Sequence, residues 1–133
     1  MPSFSTTSLT KLQTCQDELI FLFKTVVKVY DCTVIDGFRD ENTQNSYFLS
    51  KKSKVKWPES KHNVYPSQGV DVGPYIKGGI PWQDKDQFYH FSGFVLGTAN
   101  MLGIKLRYGG DWDSDNDLKD QNFMDLAHYE LVE

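Results

Sequence analysis

The apolar residues between Ser8 and Tyr30 recur at every third or fourth position, and no other feature of the chain constrains its fold so strongly. This period predicts one helix that packs on a single face, and Ser8 or Thr10 can cap its start. The apolar positions on that face are Leu9, Leu12, Leu19, Leu22, Phe23, Val26, Val27 and Tyr30. The chain therefore begins with a helix that needs a second layer to pack against.

The segments after this helix alternate between strand and helix patterns. Four short stretches predict strands, and the first of them is expected at the centre of a sheet. They are "CTVIDGF" at 32–38, "GVDVGPY" at 69–75, "GIKLRYG" at 103–109 and "HYELV" at 128–132. Two further helices are predicted in residues 39–51 and 82–102. This order predicts an α+β fold, a small antiparallel β-sheet with helices packed on it.

The two later helices have their own signals. Asp40 or Asn42 can cap the first of them, which is expected to turn three apolar residues inward. These residues are Tyr47, Phe48 and Leu49. In the second, Gly93 and Gly97 weaken the helix and are expected to mark close packing against another helix.

The composition is that of one soluble globular domain spanning residues 1–133. A formal charge of −4 argues against nucleic acid as a partner, and no segment reaches the ~18 apolar residues of a membrane span. The one basic run, "KKSKVK" at 51–56, is interpreted as a solvated loop, although it could attract an anionic polymer such as a cell wall. It belongs to a long loop, residues 51–68, and long ordered loops in small domains are often functional.

The two cysteines, Cys15 and Cys32, fall in segments predicted to be buried, so free thiols are favoured over a disulfide. The N-terminal "MPSFSTTSLTKL" lacks the charged start and apolar run of a signal peptide, which predicts synthesis in the cytoplasm. No Gly-x-Ser-x-Gly occurs either, and buried thiols make poor nucleophiles. Covalent catalysis is therefore not indicated.

The three histidines limit what kind of metal site the chain can build. A catalytic zinc site takes three protein ligands from His, Asp, Glu or Cys and leaves one position open for water. His90 lies in a predicted helix between aromatic residues, where a packing or surface role is favoured. His62 and His128 instead flank predicted strands, and each has an acidic residue nearby.

The C-terminal "MDLAHYELVE" places Asp125 three residues before His128 and Glu130 two residues after it. In a strand, His128 and Glu130 face the same side, and Asp125 lies on the turn that leads into the strand. This arrangement suits a metal ligand with an adjacent general base, although the spacing alone is weak evidence.

Four motifs in a fixed order are more specific. They are "SKH" at 60–62, "GVDVGPY" at 69–75, "GIKLRYGGDWD" at 103–113 and "DLAHYELV" at 125–132. Together they resemble zinc-dependent peptidoglycan peptidases of the D-Ala-D-Ala carboxypeptidase type, and within that group the short phage endolysins that act as L-alanyl-D-glutamate peptidases. The resemblance runs from about Val34 to Val132 and implies the Hedgehog/D-Ala-D-Ala-peptidase-like fold.

The resemblance also implies roles for individual residues. Matched by motif, the ligands of one zinc ion are His62, Asp71 and His128, and the catalytic carboxylate is Asp125. "GFRDENTQ" at 37–44 matches a family motif in which the arginine stabilises the developing oxyanion near the metal. That role falls here to Arg39.

Three further residues are implied as substrate contacts, namely Gln44, Ser60 and Trp112. For Trp112, core packing is an equally good interpretation. His62 and Asp71 lie nine positions apart, whereas the family usually separates them by seven. The difference is predicted to be a two-residue insertion in the turn at 63–68.

An acidic stretch, "DWDSDNDLKD" at 111–120, is a candidate for a second metal site. Aspartates alternate there as at the start of a calcium loop, but Leu118 and Met124 occupy the places of its glycine and its final glutamate, which excludes an EF-hand. The stretch can be interpreted either as a solvated acidic loop or as a looser Ca²⁺ site. The residues of that site would be Asp113, Asp115 and Asp117.

The resemblance therefore predicts a monomeric zinc metallopeptidase that cuts the L-Ala-D-Glu bond of peptidoglycan to lyse a bacterial host. Such an endolysin would be held in the host cytoplasm and released through a separate membrane pore. A D,D-carboxypeptidase is the alternative enzyme, and a non-catalytic wall-binding domain on the same fold is the alternative outside catalysis.

Overall fold

The computed structural model describes residues 2–119 and 125–132. The described part of the chain folds into helices packed on one small sheet, which confirms the α+β prediction. The helices are α1 (Thr6–Leu12), α2 (Asp17–Val27), α3 (Glu41–Leu49) and α4 (Lys85–Met101), with a short 3₁₀ helix at Lys61–Asn63. The strands are β1 (Cys32–Asp36), β2 (Gly69–Pro74), β3 (Leu106–Tyr108) and β4 (His128–Leu131).

The sheet has the order β1-β2-β4-β3, and each neighbouring pair is antiparallel. β1 is therefore an edge strand, and the prediction that it is central was wrong. Its outer side is covered by α1, where the Val34 amide donates to the Ser8 hydroxyl and Lys11 Nζ donates to the Ile35 carbonyl. Side-chain groups of a helix thus occupy the place of a further strand.

The predicted single helix from Ser8 to Tyr30 is two helices, α1 and α2, and this prediction was also wrong. α1 begins one turn earlier, with Ser5 as its N-cap. Between them the Gln16 amide donates to the Ser67 carbonyl, and the Ser67 amide donates to the Thr14 carbonyl. These bonds to a distant loop replace helical ones, although the apolar period continues through the break.

The two central strands separate a core face from a polar face. Val70 and Val72 of β2 lie in the core, and Asp71 between them points to the other side. In β4, Tyr129 belongs to the core, whereas His128 and Glu130 are directed away from it. Asp71, His128 and Glu130 all come from the two central strands, so their backbone positions are held on both sides.

A β-bulge brings β1 into the same arrangement. Val34 pairs with Val72, but Asp36 pairs with Asp71, so one extra residue lies in β1 between the two pairs. The extra residue shifts the alternation, and Asp36 consequently lies on the polar face rather than in the core. The polar face thus gains a further carboxylate.

The core is formed by α2, α4 and the apolar face of the sheet. Aromatic rings dominate its centre: Phe23 meets Tyr129 edge to face at 5.5 Å, and Tyr108 stacks on Tyr129 at 5.0 Å. Cys15 and Cys32 are buried and free, as predicted. No helix among the described residues is long and apolar enough to cross a membrane.

Two predictions about packing were wrong. Of the three residues expected to turn inward from α3, Leu49 is 81% exposed, and Tyr47 and Phe48 are half-buried. The buried residue of this helix is Gln44, although Asp40 does cap it. Gly93 and Gly97 face open space on α4 rather than a neighbouring helix. His90 lies on the same helix, where its Nδ1 is 2.7 Å from the Tyr30 hydroxyl, in agreement with its predicted surface role.

Candidate metal centre

Three side chains from distant parts of the chain meet on the polar face of the sheet. His62 Nε2, His128 Nδ1 and Asp71 Oδ1 lie 3.1 to 3.2 Å from one another. Asp71 and His128 are register partners on β2 and β4, and His62 is brought to them by the 3₁₀ helix before β2. The sequence proposal that these three residues form one group agrees with this geometry.

The remaining nitrogen of each histidine contacts an acceptor. His62 Nδ1 donates to the Gly37 carbonyl at 2.6 Å, and His128 Nε2 lies 2.8 Å from Glu130 Oε1. Because a carbonyl can only accept, the His62 proton is on Nδ1, and the Glu130 carboxylate likewise favours a proton on His128 Nε2. In the neutral form of both rings, the unprotonated nitrogens therefore point toward each other and toward the Asp71 carboxylate.

This donor set fits zinc. Two imidazole nitrogens and one carboxylate oxygen are the ligand types of catalytic zinc sites. Ligands at 2.0 to 2.1 Å from a tetrahedral ion lie about 3.3 Å from one another, close to the separations observed here. Three lone pairs at this distance repel one another unless a proton or a cation lies between them. The residues present therefore match the ion that the sequence indicated.

The electrostatics of the group show how strongly it attracts positive charge. Burial alone would raise the pKa of Asp71, but the charge of His62 and hydrogen bonds with both histidines hold that pKa well below its usual range. Burial alone would lower the pKa of His128, yet hydrogen bonds to Asp71 and Glu130 raise it to about 9. A carboxylate that is buried among hydrogen-bond donors and positive charge in this way stays ionised.

Arg39 holds the second oxygen of Asp71. Its Nη2 donates to Asp71 Oδ2 at 3.1 Å, its Nη1 donates to Gln44 Oε1 at 3.0 Å, and its Nε lies 3.4 Å from Asp36 Oδ2. The residue is 6% exposed, and its backbone amide donates to the His62 carbonyl. The Arg39 side chain thus orients Asp71, and its backbone amide holds the His62 segment against the end of β1.

Asp125 lies on the turn that leads into β4. Its carbonyl accepts from the His128 amide at 3.1 Å, and its own amide donates to the Gly109 carbonyl at 2.9 Å. Burial raises the pKa of Asp125, and the charge of Asp71 raises it further. The turn therefore fixes an ionisable carboxyl next to the metal group, where the sequence predicted it.

A cleft of about 670 Å³ opens over this group. The Trp112 ring lies 5.5 Å from the His128 ring and lines the cleft rather than the hydrophobic core. The other side chains that line it are Arg39, Lys52, Ser53, Lys54, Val55, Glu59, Ser60, Lys61, His62, Asp113, Asp125, His128 and Glu130. The cleft has room for several residues of an extended peptide.

Comparison with known proteins assigns the family. The sequence model described as "Phage L-alanyl-D-glutamate peptidase" matches residues 2–132. The L-alanyl-D-glutamate peptidase of Escherichia phage T5 is 31% identical over 134 residues, which covers 97% of each chain. The chain belongs to the phage L-alanyl-D-glutamate peptidase family. The crystal structure of the Serratia marcescens L-Ala D-Glu endopeptidase ChiX has the same fold, with a TM-score of 0.76 and 20% identity over 98% of this chain and 91% of that one.

The remaining residues matched to this family occupy different places around the cleft. Gln44 is fully buried beneath it, where it binds Arg39 and the loop after α3, so it does not line the cavity. Ser60 lines the cleft and also caps the 3₁₀ helix by accepting from the His62 amide. The longer turn after His62 still allows its Nε2 to reach within 3.2 Å of Asp71 Oδ1.

Three aspartates of the acidic stretch form a second cluster of possible metal ligands. Ligand atoms of Asp111, Asp113 and Asp115 lie within 4.8 Å of one another. Asp111 is 6% exposed, and its Oδ1 has no hydrogen-bond partner within residues 2–119 and 125–132. Burial and the two neighbouring carboxylates raise the pKa of Asp111. Asp117 is outside this group, and its amide donates to Asp115 Oδ1.

Sequence reasoning missed two features of the site. Glu130 was recognised as facing the same side as His128 but was not included among the candidate site residues, although its carboxylate binds that ring. The lysines of the basic run are exposed, as interpreted from sequence, but that interpretation did not predict that Lys52 and Lys54 line the cleft. The His-x-Glu spacing on a strand was a usable signal for Glu130, but nothing local indicated where the lysines would lie.

Proposed function

We propose that this protein is a zinc-dependent endolysin that hydrolyses the L-Ala-D-Glu bond in the stem peptide of peptidoglycan. The observation that carries the proposal is the convergence of His62, Asp71 and His128 next to Asp125 in a member of this peptidase family. The 31% identity to the T5 peptidase along nearly the whole chain supports the same substrate.

His62 Nε2, Asp71 Oδ1 and His128 Nδ1 would hold the zinc ion. When bound there, zinc polarises the scissile carbonyl and lowers the pKa of a coordinated water. Arg39 orients Asp71 by donating to its second oxygen. The Gly37 carbonyl and the Glu130 carboxylate keep the other two ligands in the required tautomers.

Asp125 serves as the general base and acid. Its carboxylate accepts a proton from the attacking water and then delivers that proton to the amine of the departing D-Glu residue. Burial and then the charge of Asp71 raise the pKa of Asp125, which makes it a better proton acceptor than an exposed aspartate. No covalent intermediate is needed, in keeping with two buried thiols.

Arg39, Ser60 and Trp112 contact the substrate in this proposal. All three line the cleft. Arg39 adds positive potential where negative charge develops on the carbonyl oxygen, and Trp112 provides an apolar surface for the peptide. Gln44 contributes indirectly, by holding Arg39 and the loop that forms the rim of the cleft.

The test is lysis of Gram-negative cells whose outer membrane has been permeabilised. Asp125→Asn removes the base and keeps the volume, so the rate of turbidity loss should fall at least ~100-fold, while bound zinc per chain is unchanged. The control is Asp86→Asn on the exposed first turn of α4, which makes the same chemical change away from the cleft. Undiminished lysis by Asp125→Asn would contradict the assignment, as would a parent protein that binds no zinc.

We also propose that the protein is released to the wall through a separate membrane pore, as the family resemblance implies. Expression in the bacterial cytoplasm without a pore-forming protein should then leave the cells intact. Co-expression with one should cause rapid lysis. Lysis at the same rate in both cultures would contradict this route.

We propose that the carboxylates of the acidic stretch bind Ca²⁺ as a second cation, through Asp111, Asp113 and Asp115. One oxygen of buried Asp111 has no hydrogen-bond partner among the described residues, 2–119 and 125–132, and this supports the proposal, since a buried carboxylate oxygen needs a donor or a cation. Asp117 lies next in the chain and is the further candidate ligand from the sequence pattern. Ca²⁺ should raise the thermal midpoint of the parent but not of Asp115→Asn, and an equal rise in both would refute the site.

A further inference from the structure

Two stretches of opposite charge line the cleft beside the metal group. Residues 52–61 contribute Lys52, Lys54 and Lys61, together with one acidic residue, Glu59. Residues 112–119 and 125–130 contribute the carboxylates of Asp113, Asp125 and Glu130. An anionic group that enters the cleft is therefore attracted toward the first stretch and repelled from the second. We call the three lysines the lysine wall.

A buried network fixes this lysine segment to the metal group. The Gln44 amide nitrogen donates to the Ser53 hydroxyl at 2.9 Å and to the Val55 carbonyl at 2.8 Å. Its oxygen accepts from Arg39, whose other nitrogen holds Asp71. The segment interpreted from sequence as a solvated loop is thus tied through one fully buried side chain to the residues around a candidate ligand.

Lys52 is positioned by an aromatic ring that it shares with Arg39. Its Nζ lies 5.5 Å from the centroid of the Tyr47 ring, and the Arg39 guanidinium carbon lies 4.7 Å from the same centroid. The Tyr47 hydroxyl donates to Asp36, which fixes the ring at the end of β1. The ammonium of Lys52 and the guanidinium of Arg39, which contacts Asp71, therefore contact the same ring.

The proposed substrate has a carboxylate that such a wall can bind. A glutamyl residue has two carboxyl groups, and only one of them continues the peptide chain. The other is ionised at neutral pH and lies a few bonds from the amide that is cut. The Nη atoms of Arg39 already donate to Asp71 and Gln44, so this carboxylate needs a further cation beside Arg39 as its main partner.

We propose that Lys52 and Lys54 form a subsite for the free carboxylate of this glutamyl residue. The inference rests on the proposed function and adds a determinant of specificity to it. The lysines would select substrates whose glutamyl carboxylate is free over those in which it is amidated, since a carboxamide lacks the charge that they bind.

The test compares two double variants on two synthetic muropeptides. Lys52→Gln with Lys54→Gln removes the subsite, and Lys51→Gln with Lys56→Gln removes the same charge from the same run, at positions outside the lining of the described cleft. One muropeptide has the free glutamyl carboxylate, and the other has a carboxamide there. For the free carboxylate, the subsite variant should raise KM about tenfold with kcat within about twofold, which is the loss of one charged contact.

The control variant should keep the KM of the parent for both muropeptides. The parent should prefer the free carboxylate, and the subsite variant should lose that preference. Lys52→Arg with Lys54→Arg should keep it, because arginine also binds carboxylates. Circular dichroism establishes that each variant is folded, and if the double glutamine variant unfolds, Lys54→Gln alone should still weaken the preference.

The outcomes separate this inference from the proposed function. If the parent cleaves the muropeptides and the subsite variant matches the control, the subsite is refuted and the peptidase assignment stands. If the parent prefers the carboxamide, the subsite is likewise refuted. If the parent cleaves neither muropeptide, the proposed function fails and the subsite fails with it.

Discussion

At the scale of single residues, the candidate metal group of His62, Asp71 and His128 is held in place by side chains that are not themselves candidate ligands. Glu130 binds the outer nitrogen of His128, and Arg107 Nη1 lies 3.4 Å from the other Glu130 oxygen. This chain of contacts fixes the ring and its tautomer, which is the common second layer of histidine metal sites. Glu130 is thus a positioning residue, since it acts through His128.

Glu130→Gln should weaken zinc binding about tenfold, and Glu130→Ala by ~10 to 100-fold, because the carboxylate that orients His128 is lost. Competition with a chromogenic chelator measures this affinity without reference to activity. Glu18→Gln on the exposed first turn of α2 is the matched control and should bind zinc like the parent. Unchanged affinity in Glu130→Ala would show that the contact has no positioning role.

The sequence predicted the residues of the metal group better than their partners. His62, Asp71 and His128 could be proposed because their motifs resemble a known family and few histidines compete for the role. The contact of Arg39 with Asp71 joins residues 32 positions apart, and that of Gln44 with Val55 joins a helix to the irregular loop that follows it. No local pattern encodes such pairs, so their roles required the fold.

At the scale of elements, the turn before β4 is the most constrained part of the site. The Gly109 amide donates to the His128 carbonyl, and its carbonyl accepts from the Asp125 amide. A Cβ at position 109 would collide with the Asp125 carbonyl oxygen. The close approach of β3 to this turn therefore requires glycine, and it sets the position of Asp125 relative to His128.

Gly109→Ala should lower kcat more than tenfold and destabilise the fold by about 1 to 3 kcal/mol, because the added methyl group displaces the turn. Gly93→Ala is the matched control: its Cβ meets open space on α4, and alanine should stabilise this helix by about 0.5 to 1 kcal/mol. Muropeptide turnover and urea unfolding measure the two effects. Full activity in Gly109→Ala would show that the turn is not a positioning element.

Elements with a strong local period were predicted best. α4 and the strands β1, β2 and β4 were found with nearly their observed bounds, whereas β3 covers only Leu106–Tyr108 of the predicted 103–109. The break between α1 and α2 was missed because bonds of Thr14 and Gln16 to Ser67 outweigh an uninterrupted apolar period. The edge position of β1 was missed for a similar reason, since α1 rather than a strand covers it.

At the scale of the whole molecule, one face of the sheet forms the hydrophobic core and the other carries the candidate site. Its apolar face packs on α2 and α4, and its polar face presents the candidate ligands from the two central strands. The cluster at 62, 71 and 128 joins the 3₁₀ helix, β2 and β4, so an ion bound there would link three segments. Ligand binding to the folded state alone stabilises it by mass action.

Removal of zinc should therefore destabilise the whole fold. Dialysis against a chelator should lower the free energy of unfolding by several kcal/mol, about 4 kcal/mol for zinc at a thousandfold excess over Kd. Added Zn²⁺ should restore the unfolding midpoint, whereas Mg²⁺ should not, since it prefers oxygen ligands. Identical unfolding curves with and without chelator would contradict a metal at this group.

Mass spectrometry of muropeptides digested by the zinc-loaded protein tests the central claim most directly. We predict products cut between L-Ala and D-Glu, with D-Glu as the new N-terminus, that disappear after chelation and return with Zn²⁺. Release of terminal D-Ala alone would identify a carboxypeptidase, and intact muropeptides in the presence of zinc would contradict the account as a whole.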